Sequence, residues 1–299
     1  MAGVITTGNH PKALWPGMHA FFGASYGEHP EEYREIFDME KSSKNYEEDT
    51  KLTGFGLAPI KTEGGAVSYD SESQSYTKRY THTVYGLGYV VTQEELEDNQ
   101  YEIVSRKRIK RLAFSMRQTR EIVGANVLNR AFSSSYVGGD GKELLATDHP
   151  SLAGNFQNEL TTAADLSEAA LEDMVILIGQ AKNERGLNIA IRPKKLIIPI
   201  NLMFEAKRIL KSEMQSGTAN NDINALKGMF DFSVNHYLTD TDAWFMKTDC
   251  PNGMQWFERR ALAFTKDSDF DTENAKAKAT MRFSVGWTDP LGMFGSPGA

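Results

Sequence analysis

Residues 92–132, TQEELEDNQYEIVSRKRIKRLAFSMRQTREIVGANVLNRAF, read as one long helix, and the rest of the chain is organised around it. Thr92 and Glu95 form a capping-box pattern, with Val91 and Leu96 at the two positions of a hydrophobic staple. Glu94, Glu95, Glu97 and Asp98 crowd the first turns, where the positive end of the helix dipole favours them, while Arg117, Arg120 and Arg130 follow later. Leu96, Ile103, Ile109, Leu112, Met116, Val123, Val127 and Ala131 recur at spacings of three, four or their sums, which makes one apolar stripe. No proline interrupts the run. Such a helix would be roughly 60 Å long, beyond the few turns usual in a compact globule, so it reads as a spine.

Working outward, residues 54–91 have strand periodicity. Tyr76, Tyr80, His82 and Val84 share one parity, and Thr77, Arg79, Thr81 and Thr83 the other. Gly64, Gly65 and residues 70–75 are turn-rich, which predicts a long hairpin with its tip in this region. A ribbon with so few apolar residues must lean on a neighbour; periodicity alone is equally consistent with a hairpin packed on its own domain. Near the C-terminus, Ala275, Ala277, Ala279, Met281, Phe283 and Val285 alternate with Lys276, Lys278, Thr280, Arg282 and Ser284, which predicts a strand with one buried and one basic face.

Between these lies an α/β section. Asp165 or Ser167 is expected to cap a helix carrying Leu171, Met174, Leu177, Ile178 and Ala181 and ending near Gly186. Residues 195–200 read as a short buried strand whose end Pro199 places at a sheet edge. Asn201 is the expected cap of a helix with Met203, Ala206, Ile209 and Leu210 inside. A polar loop at 217–224 and strands at 232–237 and 244–247 complete a second domain. The first fifty residues are punctuated by Pro11, Pro16, Gly17, Gly23, Gly27 and Pro30, yet contain Trp15, Phe21, Phe22 and Tyr26, so they read as an arm whose rings pack elsewhere.

Composition bounds the function. A chain of 299 residues, 40% hydrophobic and 24% charged, can bury one or two cores. The single cysteine, Cys250, excludes an internal disulfide and a cysteine-rich zinc site, and suits a reducing compartment. The N-terminus has no signal-peptide pattern, and apolar runs such as 174–178 are too short to span a bilayer. A formal charge of -7 argues against a dedicated nucleic-acid binder.

Candidate chemical motifs are weak. Gly23-Ala24-Ser25-Tyr26-Gly27 matches the G-x-S-x-G nucleophile elbow, but the stretch before it has no room for the strands that fold requires, so a glycine-flanked turn is expected. His149, beside Asp148, is expected to be a loop histidine, because no nucleophile is placed by sequence to use it. The 138–143 stretch, GGDGKE, lacks the first glycine of a phosphate loop and has Glu143 at the Ser/Thr position. Arg106, Lys107, Arg108, Lys110 and Arg111 form a basic run without interleaved aromatics, expected to be a solvated or subunit-facing surface. Asp267, Asp269 and Asp271 imitate the start of a calcium loop, but Thr272 and Lys278 stand at its glycine and terminal glutamate positions. The expectation is no catalytic residue, no cofactor and no metal.

Several longer motifs together resemble a known family: ALWPG near the start, YxHxxYxLGYxxTQEELEDNxY leading into the spine, DGKxLLATDHPSLAGN, NDINALK, YLTDTDAWF and RFSVGWTDPLGMFGS. The chain resembles, over nearly its whole length, the major capsid proteins of tailed bacteriophages, and specifically the Mu-like major head subunit group. The resemblance implies an α+β fold of Hong Kong 97 type. On that template residues 1–53 are the N-terminal arm, 54–91 the extended hairpin loop, 92–164 a peripheral domain with spine helix 92–132, 165–249 the axial domain, and 250–299 the return to the peripheral sheet. It further implies assembly into pentamers and hexamers of an icosahedral shell enclosing double-stranded DNA, made in the host cytoplasm and resident in the virion. The implied partners are a separate scaffolding protein, since the arm leads to the hairpin within fifty residues, a portal protein, in some cases a decoration protein, and packaged DNA by non-specific contact; no membrane is involved. Some members join subunits by a lysine–asparagine bond; Lys78 lies in the hairpin, but neither partner of such a bond matches a motif. A cellular nanocompartment shell is the alternative within the fold, and a serine hydrolase built on Ser25 or His149 the alternative outside it.

Overall fold

The computed structural model describes residues 22–27, 30–92, 94, 101–215, 222–269 and 274–299. In chain order the elements are α1 (Tyr33–Ile36), β1 (Asp38–Lys41), β2 (Tyr46–Leu52), β3 (Gln74–Thr81), β4 (Thr83–Val91), α2 (Tyr101–Asn129), α3 (Glu168–Gly179), β5 (Pro193–Ile198), α4 (Met203–Lys211), β6 (Asp231–Val234), β7 (Trp244–Thr248), β8 (Met254–Ser268), β9 (Ala275–Trp287) and β10 (Met293–Ser296). They form two compact units. Of the described residues, one contains those up to 31 and those within 82–122 and 258–283; the other contains those within 32–81, 123–257 and 284–299. The helix α2 and the strands β8 and β9 each contribute residues to both.

In the first unit β9 lies between β4 and β8. The antiparallel β4–β9 register pairs Thr83 with Phe283 and Val91 with Ala275, so the strand leading towards the spine is zipped to the returning one along its whole length. The alternation in β9 holds from Ala275 to Phe283 and then ends: Ser284 is buried and Val285 half-buried, because both faces are covered from there to Trp287. In β4 the expected parity shifts. His82 is buried as expected, but Val84 is exposed, and the inward positions are Tyr85, Tyr89 and Val91. The ladder breaks at His82, between β3 and β4, and a one-residue offset moves every later side chain to the opposite face.

The spine is a continuous helix of 29 described residues, roughly 44 Å at 1.5 Å per residue. Glu95 and Leu96 of the expected cap and staple lie outside the described residues. Ile109, Leu112 and Met116 are buried as the stripe requires. Arg120 is buried too: its guanidinium donates to Glu258 of β8 at 2.5 Å and lies over the Phe283 ring of β9, which ties the helix to this sheet. Phe22 stacks on Phe264 at 4.9 Å. Trp15 and Phe21 lie outside the described residues.

In the second unit the strand order is β10–β7–β5–β6, with β5 parallel to β6 and antiparallel to β7. One sheet face, carrying Leu196, Ile198, Trp244, Met246 and Phe294, shares a core with Leu171, Met174 and Ile178 of α3 and Ala206, Ile209 and Leu210 of α4. The other face presents Phe245 to Phe132. Ser167, not Asp165, caps α3, accepting from the Ala170 amide at 3.2 Å. The helix ends at Gly179 rather than near Gly186, because residues 182 and 188 form a bridge that turns the chain back. Pro199 does not mark an edge strand: β5 is an inner strand, and the proline falls just past its last ladder pair, where its missing N–H costs nothing. Asn201 lies in a 3-10 turn at 200–202 and is not the cap of α4; Leu202 holds that position without a side-chain bond.

Residues 32–38 clip onto this unit with two sets of side chains. Tyr33 and Phe37 pack on Trp256 at 4.5 and 5.8 Å, while Glu32, Glu35 and Asp38 pair with His236, Lys195 and Lys247 of the β5–β7 region. Gly124, inside the spine, makes the apolar half possible: a Cβ there would lie 3.1 Å from Cβ of Tyr33 and 3.4 Å from the Phe37 ring. A helical glycine costs about 0.5–1 kcal/mol relative to alanine, so its place here reflects close approach and not propensity. A second tight crossing joins Gly253 to Gly292, where an added Cβ would meet the other glycine's Cα at 2.4–2.6 Å.

Candidate functional site

The hairpin is built from β2 and β3, antiparallel from Tyr46↔Thr81 to Leu52↔Gln74. Its first strand starts at Tyr46, ahead of the stretch whose sequence reads as strand, because YEEDTKL has no apolar alternation to announce it. One face of β3 is clamped within its own unit. The Tyr76 hydroxyl donates to the Thr288 carbonyl at 3.0 Å, the Tyr80 hydroxyl bonds Thr288 Oγ1 at 2.6 Å, and Tyr80 packs on Phe257. Lys78 donates to the Val137 carbonyl and sits over the Trp287 ring. On β2, Lys51 Nζ lies 3.0 Å from Asp289 and 3.3 Å from Glu184, between the rings of Tyr76 and Phe156.

These groups are electrostatically tuned by the contact. Burial opposes the charge on Lys51, but the charges and hydrogen bonds of Asp289 and Glu184 together outweigh it and hold the ammonium above its usual pKa. Burial, with the charges of Asp289, Asp140 and Glu184 adding to it, pushes the Tyr76 phenol up, and burial does the same to Tyr80. Burial lowers Lys78, against the opposing charge of Asp140. The base of the hairpin is therefore a buried polar lock.

The tip is the reverse. The ladder closes at Thr53 and Ser73, whose backbone and hydroxyl groups bond each other, and a bulge follows Lys51. Beyond it, residues 54–72 form no strand or helix; Asp70 caps the Gly56 amide and Arg185 reaches the Ser71 carbonyl at 2.5 Å. Large apolar side chains point outward here: Ile60 is 97% exposed and Tyr69 95%, with Phe55, Leu57 and Val67 also exposed. Apolar surface concentrated on a loop that is fixed at its base marks a contact surface.

The sequence-level chemical candidates do not converge on a reactive site. Ser25 is in a short helical turn at 22–26, not on a strand-to-helix elbow, and its buried hydroxyl has no hydrogen-bond partner among the described residues. His149 lies outside the named helices and strands, in an isolated bridge to Phe156, and is fully buried, with Nδ1 at 2.7 Å from Asp140 Oδ2 and Nε2 at 3.1 Å from Asn158 Oδ1. Both ring nitrogens thus have partners, and among the described residues neither is bonded to a hydroxyl or a thiol. Asn158 is the hub of this network: its Nδ2 donates to the carbonyls of Leu144, Pro290 and Met293, and its Oδ1 accepts from the Ala146 amide at 3.0 Å. Burial raises Cys250 to about 12, which makes it an inert thiol. Residues 138–143 hold a turn in which Asp140 accepts from the Lys142 amide. Lys107, Lys110 and Arg111 are exposed on the spine, while the Arg106 side chain lies outside the described residues. Asp269 is paired with Lys276, and Asp271 lies outside the described residues. No metal-holding group of three His, Cys, Asp or Glu occurs among the described residues, and none of their helices is long and apolar enough to cross a membrane.

Sequence reading missed Lys51, Glu184, Asp289 and Asn158. Each is polar and lies in no periodic pattern; Lys51 meets Asp289 at a separation of 238, and Asn158 joins near partners such as Leu144 to the distant Pro290 and Met293.

The fold is of the Hong Kong 97 type, as its likeness to solved phage capsid structures shows. The structure of the bacteriophage JBD30 capsid matches with a TM-score of 0.56 and 14% identity, over 79% of this chain and 100% of that one. That of Mycobacterium phage Patience matches at 0.54 and 10%, over 99% and 89%. The virus-like particle from Pyrococcus furiosus matches at 0.52 and 12%, over 95% and 99%. The comparison with curated proteins gives no match. The sequence profile described as phage capsid protein matches residues 75–295, and the chain belongs to that family.

Proposed function

We propose that this chain is the major head subunit of a tailed phage or prophage, of the Mu-like group, assembling into pentamers and hexamers of an icosahedral shell around double-stranded DNA. The observation that carries this reading is the hairpin, whose polar base is buried while its apolar tip is bare. A closed shell requires repeated contacts made at slightly different angles, and a ribbon rigid at its root and adaptable at its end meets that need. The reading assigns 1–53 to the arm, 54–91 to the extended loop, 92–164 and 250–299 to the peripheral domain and 165–249 to the axial domain, with β2 carrying the hairpin back into the arm segment. Its partners are other copies of the chain, a scaffolding protein, a portal and, non-specifically, packaged DNA; it performs no catalysis and resides in the virion after assembly in the host cytoplasm. A nanocompartment shell of the same fold is the second reading, since a virus-like particle from Pyrococcus furiosus shares this fold.

The test replaces residues 56–70 by a short Gly-Ser linker, which leaves the Thr53–Ser73 closure in place. The expected product has native circular dichroism and thermal stability but sediments as single subunits or small rings. Closed particles of normal size from this variant would remove the assembly role of the tip. In wild-type particles, nuclease-protected DNA supports the phage reading and protein cargo the nanocompartment reading.

A further inference from the structure

Within the second unit, α3 and α4 carry opposite charge on opposite flanks. Both α3 and α4 lie on the same face of the β10–β7–β5–β6 sheet, sharing one core. The helix α3 contacts β10, at one edge of that sheet, and α4 contacts β6, at the other. Along α3, Glu168, Glu172 and Asp173 are the only charged residues. Glu172 and Asp173 are exposed and have no partner among the described residues, and exposed Ile176 sits one turn further along the same stripe. Beside this stripe runs a groove of about 520 Å³, lined among others by Leu160, Ala164, Ala169, Asp173 and Ile176.

The outer stripe of α4 mirrors it. Lys207, Arg208 and Lys211 are exposed, with Phe204 and Ile200 exposed about one and two turns before Lys207 and Arg208. Its one acid, Glu205, is taken by Arg208. Lys207 has no partner among the described residues, and Lys211 lies 3.9 Å from Asp231.

We infer that the α4 flank of one copy docks against the α3 flank of the next, with Phe204 and Ile200 in the α3 groove and Lys207 and Lys211 facing Glu172 and Asp173. This rests on the shell reading above and names the partner surfaces within a ring. A two-fold contact would set acid against acid or base against base, which costs free energy; only the head-to-tail arrangement satisfies both flanks. A head-to-tail contact between opposite edges of one unit repeats around a ring.

Two charge-reversed proteins test the pairing: Glu172→Lys with Asp173→Lys, and Lys207→Glu with Lys211→Glu. Each alone should keep native circular dichroism yet lose ring and particle formation by light scattering and electron microscopy, since like charges then face each other at every contact. Mixed in equal amounts, the two should assemble again as alternating six-membered rings, whereas five-membered rings, which cannot alternate, should stay absent. Normal assembly of either variant alone, or no rescue on mixing, overturns the pairing and leaves the shell reading intact. Wild-type protein that forms no rings or particles under the same conditions overturns the shell reading, and this inference with it.

Discussion

The base and the tip of the hairpin invert the usual rule of burial. At the base, a lysine ammonium only 12% exposed meets a glutamate 3% exposed. At the tip, a few residues along the same ribbon, isoleucine and tyrosine are almost wholly in water. Polar groups are tolerated inside because each has a fixed partner; apolar groups outside have none in the subunit. Under the proposed function, the contrast separates stability, assigned to the base, from association, assigned to the tip.

The largest expected effect comes from breaking the base. Lys51→Ala leaves Glu184 and Asp289 uncompensated and should destabilise the subunit by about 3–5 kcal/mol, read by denaturant titration. A loss under 1 kcal/mol would mean that the ion triad is not what holds the ribbon.

High pH acts on the same lock. The Tyr76 and Tyr80 phenols keep their protons in the folded protein, while the unfolded chain releases them near pH 10, so the unfolded state binds fewer protons and stability falls as pH rises past that value. Lys51, also raised, contributes in the same direction above its ordinary 10.5. Lys78, lowered, contributes oppositely, because there the unfolded state binds more protons as pH approaches 10.5. With three groups against one, the melting temperature should fall between about pH 10 and 11.5, and Tyr76→Phe with Tyr80→Phe should blunt the fall. A flat profile in wild type would contradict the burial of these phenols.

Removing one hydroxyl is a smaller perturbation. Tyr80→Phe deletes the bond to Thr288 Oγ1 and should cost about 1 kcal/mol, with assembly retained. At the tip, Ile60→Ser or Tyr69→Ser should shift stability by no more than about 0.5 kcal/mol while reducing particle yield. A stability loss like that of Lys51→Ala at either position would erase the distinction between base and tip.

Local pattern made much of this fold legible. The spine's stripe, the alternation from Ala275 to Phe283 and the turn-rich tip are each dictated by the spacing of apolar and turn residues within one element. Where pattern misled, a neighbour had intervened: Val84 faces out because the ladder breaks at His82, and β5 is an inner strand although Pro199 follows it. Of the candidate contact surface, the tip was readable and the base was not.

The sequence by itself determined the spine helix, the strand from Ala275 and the helix carrying Leu171, Met174 and Ile178, because each has a periodic apolar face. Tertiary structure alone decided that β2 completes the ribbon, that Lys51 meets Glu184 and Asp289, that Asn158 gathers three carbonyls around a buried His149, and that α3 and α4 stand at opposite edges of one sheet. The reason is physical. Periodicity encodes which face of an element is apolar, whereas a polar side chain takes the role of whatever partner the folded chain brings within hydrogen-bond distance.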